Sequence, residues 1–111
     1  MDQAISVYMT AGSMEEARHI AGVLIESRLA ACVNILGNIH SVFYWDGVQE
    51  EQEVALIAKA AAADFEAINE KVRLVHSYDC PCVVAWPIAN GDEEFLKWVV
   101  NETRGKRGSV S

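Results

Sequence analysis

His76 stands four residues ahead of Cys80-Pro81-Cys82, so a His-x3-Cys-x-Cys stretch gathers one imidazole and two thiols. In an extended segment Cys80 and Cys82 point to the same face, with Cα atoms about 6.5 Å apart. Thiolates and an imidazole are donors for soft or borderline ions such as Cu(I) and Zn. A plainer reading makes Cys82 a small buried apolar side chain and leaves Cys80 in a loop, since a closed zinc site needs a fourth ligand. Cys32 lies in the apolar run Leu29-Ala30-Ala31-Cys32-Val33-Asn34, a setting that suits core better than a nucleophile, because no base is placed beside it. Lys59 follows Val54-Ala55-Leu56-Ile57-Ala58 and precedes four alanines. Its ammonium must find a partner or reach water. Glu53 shares its strand face but lies about 20 Å away along an extended chain, so a partner from another segment or subunit is expected. Tyr44, Trp45, Tyr78, Trp86 and Trp98 either fill core and interface or, with Lys59 and His76, wall a small pocket. His19 and His40 stand alone. Phosphate loops, nucleophile elbows, H-E-x-x-H and C-x-x-C pairs are missing, so no catalysed reaction is expected.

The elements that hold these residues alternate in type. Ala4 to Thr10 is a short apolar and β-branched run that predicts a first strand. Ser13 and Glu16 form a capping box, and Ala17, Ile20, Ala21, Leu24 and Ile25 follow at helical spacing. Ala30 to Trp45 and Val48 to Ala60 predict the arms of a hairpin turning at Asp46-Gly47, with Gly37-Asn38 marking a bulge or bend. Both arms are long against the usual five or six residues, and part of the hairpin is expected to meet another subunit. Asp64 heads a second helix with Phe65, Ile68, Val72 and Val75 on one face. Pro81 leads into a strand over Cys82 to Trp86. A last helix starts at Asn90-Gly91-Asp92 and ends near Gly105, with Phe95, Trp98 and Val99 expected to face inward. The order β-α-β-β-α-β plus a terminal helix predicts an α+β, ferredoxin-like fold.

The 111 residues suit one domain, expected over 1–103, with a flexible Gly/Ser-rich tail over 104–111. A 51% hydrophobic content is enough for a packed core. The net charge of −7 sets 16 acidic against 9 basic residues, and the densest basic cluster, Arg104, Lys106 and Arg107, sits in the tail. Nucleic-acid binding and docking on an anionic membrane are therefore not expected, while cations are favoured. The N-terminus lacks the basic-then-apolar pattern of a signal peptide, and no apolar run is long enough to span a bilayer. With 3 cysteines, an odd number, the chain reads as cytoplasmic with reduced thiols.

Taken together these residues resemble the CutA divalent-cation tolerance family over about Val7 to Val100. The resemblance rests on Thr10, Leu29-Ala30-Ala31-Cys32-Val33-Asn34, Ser41-Val42-Phe43-Tyr44-Trp45 with Gly47, and Glu53 with Lys59. It continues through His76, Tyr78 and Pro81 to Phe95-Leu96-Lys97-Trp98. It implies a homotrimer of PII-like architecture in which the long hairpin reaches across a neighbour, and a role in tolerance of copper and other divalent cations. It also implies an intersubunit pocket drawn from Cys32, Trp45, Glu53, Lys59, His76, Tyr78 and Trp98. Two positions depart from the family pattern: Cys82 replaces an acidic residue after the turn proline, and Cys80 is an addition. A thiolate-containing site from Cys32, His76, Cys80 and Cys82 thus competes with a carboxylate one. The other reading is a PII-like sensor that binds a small anionic metabolite through Lys59 and the aromatics. A purely structural partner for another protein is a third.

Overall fold

The structure, a computed structural model, describes residues 3–105, with side chains through Thr103. The tail expected over 104–111 lies outside these residues apart from the backbone of Arg104 and Gly105. In chain order the elements are β1 (Ala4–Ala11), α1 (Met14–Glu26), β2 (Cys32–Tyr44), β3 (Val48–Ala61) and a 3-10 turn (Ala62–Asp64). There follow α2 (Phe65–Val75), β4 (Val83–Pro87), α3 (Glu93–Val100) and a closing π-helical turn (Asn101–Gly105). The four strands form one antiparallel sheet in the order β2-β3-β1-β4. This is the ferredoxin-like arrangement anticipated from the alternation of elements.

Local chemistry explains each boundary. Ser13 accepts a hydrogen bond from the Glu16 backbone N–H at 3.1 Å and so caps α1. Glu16 reaches back one residue further than an ordinary capping box, to the N–H of Gly12 at 2.8 Å. Asp92 caps α3 by accepting from the Phe95 N–H at 3.0 Å. Asp46 (φ 55°) and Gly47 (φ 102°) provide the two successive left-handed residues that reverse the hairpin. The expected bulge is present: the β2–β3 register slips between Ile35 and Gly37, which takes φ +105°.

The side chains of Val7, Met9, Leu56, Ala58 and Ala60 face α1 and α2, where Ile20, Leu24, Ile68 and Val72 complete a fully buried core. The intervening residues Ser6, Tyr8 and Thr10 on β1, Ile57 and Lys59 on β3 and Val84 and Trp86 on β4 lie on the opposite face by the two-residue period. On that face Tyr8 and Trp86 stack at 6.3 Å, and Val84 and Trp86 stay half exposed. One expectation for α3 is corrected. Val99 is buried, but Phe95 and Trp98 pack against each other at 5.6 Å and remain about 40% exposed, since no element among the described residues covers them.

β1 ends at Ala11, opposite Val54. Residues 48–53 of β3 therefore pair only with β2 and form a two-stranded ribbon beyond the sheet. The ribbon stretches the molecule to 47 × 30 × 21 Å, with a radius of gyration of 14.6 Å against the about 13 Å of a compact chain this long.

The two mid-element glycines should respond in opposite directions. Gly22 lies in α1 with nothing within 4 Å of an added Cβ, so Gly22→Ala should stabilise by about 0.5–1 kcal/mol through helix propensity. Gly37→Ala, forced into a left-handed conformation, should destabilise by about 1–2 kcal/mol. Denaturant midpoints at one protein concentration check both.

Candidate functional site

The ribbon places residues 39, 41 and 43 of β2 opposite 53, 51 and 49 of β3 on one face. Trp45 continues that alternation past the strand end. At the root of the ribbon, where β1 has stopped, the turn 76–80 rises against Glu53. Phe43, Trp45, Glu51, Glu53, Tyr78, Asp79 and Cys80 together line a cavity of about 330 Å³. Three acids, three aromatic rings and a thiol thus share one space without a basic side chain. A larger cavity, about 470 Å³, opens between β4 and α3 beside Gln3, Asn90, Glu93 and Lys97, but it contains none of the residues singled out in the sequence.

A chain of hydrogen bonds sets the turn. Glu16 Oε2 accepts from the Ser77 N–H at 2.7 Å and Oε1 from the Ser77 hydroxyl at 3.1 Å, which ties the turn to the start of α1. The His76 ring, whose side chain is fully buried, bridges Thr10 and Tyr78. Thr10 O can only accept and the Tyr78 N–H can only donate, so Nε2 carries the proton toward Thr10 at 2.7 Å and Nδ1 accepts from Tyr78 at 3.0 Å. The Tyr78 hydroxyl then donates to Glu53 Oε2 at 2.9 Å. Burial comes first, and with the acceptor Glu53 and its charge it raises the phenol far above its ordinary range. Burial also pushes the Cys82 thiol up, with the Glu53 charge adding to it, so Cys82 is held as a thiol. Burial would raise Glu16 too, but the bonds from Gly12 and Ser77 and the nearby His76 outweigh it and leave its carboxyl lowered.

The structure therefore divides the residues picked out in the sequence. Trp45, Glu53, Tyr78 and Cys80 meet in the cavity. His76 does not: both ring nitrogens are engaged, and it has no lone pair left for a metal. Cys32 pairs with Lys59 on the sheet, and three strand spacings, about 14 Å, separate β2 from β4, where Cys82 leads in. Lys59 finds its partner in Asn34, whose Oδ1 accepts from Nζ at 2.7 Å, and lies outside the cavity, as does Trp98. Among the described residues no group of three or more His, Cys, Asp and Glu side chains is placed to hold a metal ion within one chain. Sequence reading missed Phe43, Glu51 and Asp79. Phe43 and Glu51 were detectable, since the two-residue alternation that joins Glu53 to Lys59 also carries Glu51 and, across the strand pair, Phe43.

The fold and site define an α+β ferredoxin-like domain with a projecting ribbon and an acidic, aromatic-walled cavity at its base. Residues 5–102 match the model of the CutA1 divalent ion tolerance protein family, and the chain belongs to that family. It is 45% identical over 94 residues to the divalent-cation tolerance protein CutA of Archaeoglobus fulgidus, covering 84% of this chain and 91% of that one. It is 42% identical over 102 residues to the chloroplastic protein CutA 1 of Oryza sativa, covering 91% of this chain but only 58% of the rice protein. The chain thus spans little more than half of that plant relative. The crystal structure of CutA1 from Oryza sativa superposes with a TM-score of 0.90 at 41% identity, covering 93% of this chain and 95% of that one.

The lowered Glu16 carboxyl makes a pH prediction. Such a group stabilises the fold above its ordinary value of 4.5, and the contribution is lost as pH falls through the lower folded value. Unfolding midpoints measured from about pH 7 down to about pH 3 should fall at the acid end in the wild type, and less steeply in Glu16→Gln.

Proposed function

We propose that the chain works as a homotrimer in the cytoplasm and binds copper or other divalent cations as part of divalent metal ion tolerance. The observation that supports this most is the cavity itself. Glu51, Glu53 and Asp79 stand beside the exposed Cys80 thiol with no basic side chain, in a chain of net charge −7. Carboxylates favour divalent cations in general, and a thiolate favours copper among them. The donors in one chain do not converge, so a neighbouring copy closing over the ribbon root would complete the coordination. Cys82, two residues from Cys80, is the further thiol near this seam, and metal binding would have to displace its proton. The family name agrees with a metal-related role and with a protein that is not an enzyme. The three free cysteines fit a reducing compartment.

Assembly follows from what the single chain leaves open. Tyr44, Trp45, Val42 and Val48 on the ribbon are 63–79% exposed, and Val84 and Trp86 add to an uncovered sheet face. An isolated two-stranded ribbon is marginal in water, and apolar patches of this kind mark association surfaces. The anionic-metabolite reading lacks a comparable observation, because Lys59 is already paired with Asn34 and does not line the cavity.

Light scattering should give a mass of three 12.2 kDa chains at micromolar concentration, and a persistent monomer would contradict the assembly. Copper titration of the trimer should show affinity weakened about tenfold or more in the Cys80→Ser/Cys82→Ser double variant. Affinity unchanged by that substitution would remove the thiols as ligands.

A further inference from the structure

The cavity at the ribbon root has features that a metal site does not use. A hard divalent ion needs several oxygens about 2.0–2.6 Å away and gains nothing from aromatic walls. Here no three donors converge among the described residues of a chain, yet Phe43, Trp45 and Tyr78 form much of the lining. Aromatic faces with carboxylates at their margins are the surroundings that poorly hydrated organic cations seek: the ring quadrupole attracts the ammonium, and the ring faces cover its methylene stem. Glu51 and Glu53 lie two residues apart on one strand face, so their stems emerge about 6.5–7 Å apart along the groove. Tyr78 fixes one of the two, by its bond to Glu53 Oε2. Two negative charges in a row, one of them anchored, match two ammonium groups joined by a short alkyl chain. A cavity of about 330 Å³ is of small-ligand size.

The geometry points to a binding site for a linear aliphatic polyamine, with ammonium groups on Glu51 and Glu53 and the alkyl stem against Trp45 and Phe43. Asp79 adds negative charge at the root. This goes beyond metal binding: both readings use the acids, but the metal reading adds the Cys80 thiol, whereas the polyamine adds the rings.

Isothermal titration of the assembled full chain with spermidine, at about 0.15 M salt so that distant surface charges are screened, tests the site. Saturable binding is expected, weakened about tenfold or more by Trp45→Ala and by Glu51→Gln. Glu66→Gln, which removes the same charge from an exposed position on α2, should leave it unchanged. Light scattering accompanies each variant. If Trp45→Ala alters the assembly, Glu51→Gln decides, because that side chain is exposed and on the ribbon surface. Absence of saturable binding overturns the inference, as does equal loss in Glu66→Gln, which would mean general charge attraction. Equally tight binding of acetyl-lysine amide, with its single ammonium, would also overturn it, since the paired carboxylates would then be idle.

Discussion

Because β1 stops at Ala11, everything on β3 before Val54 has only β2 to hold it. That constraint shapes the molecule. Up to Val54 the sheet is four strands wide with two helices on one face, and its core is closed. Beyond it, six residues of β3 run with β2 as a ribbon whose two faces both meet water. Ribbon residues that alternate as Phe43, Glu51 and Glu53 have no third strand beside them. The space left at that step is where the turn after α2 enters, and the cavity forms between the two.

The turn is held there by a polar chain rather than by apolar packing. Glu16, in the first turn of α1, fixes Ser77; buried His76 fixes Tyr78; Tyr78 fixes Glu53. For the buried His76 ring these links supply partners whose loss would cost about 1–3 kcal/mol for a donor or acceptor left unmade. The same links explain the chemistry of the site. His76 is spent on structure, Glu53 has one oxygen held, and the Cys82 proton is retained by burial and by that same carboxylate.

Much of the fold was legible in the sequence, for local reasons. Ser13 with Glu16 marked the start of α1, Asp46-Gly47 the hairpin turn, and Gly37 the bulge, because each of those conformations needs a particular residue type. The period-two and helical patterns separated strands from helices. Trp45, Glu53, Tyr78 and Cys80 were singled out for a pocket or site, and the structure brings these four together. Less legible were the contacts whose partners come from distant segments. His76 read as a donor because its acceptor, Thr10 O, is a backbone group that side-chain patterns do not reveal. Lys59 was expected to find a partner from another segment or subunit, and only the β2–β3 register identifies it as Asn34. Phe95 and Trp98 read as core because their spacing is helical and apolar, although none of the described residues covers them fully.

The sequence by itself determined the elements, their order, the family and the acidic character, since propensities, caps and turns act over a few residues. Tertiary structure alone decided which chemical groups are free to act. Whether an imidazole, a thiol or an ammonium can meet a ligand depends on whether its lone pair, proton or charge is already engaged. Here those partners lie 25 residues away for Lys59 and Asn34, 25 for Tyr78 and Glu53, and 66 for His76 and Thr10, joined only when the strands align.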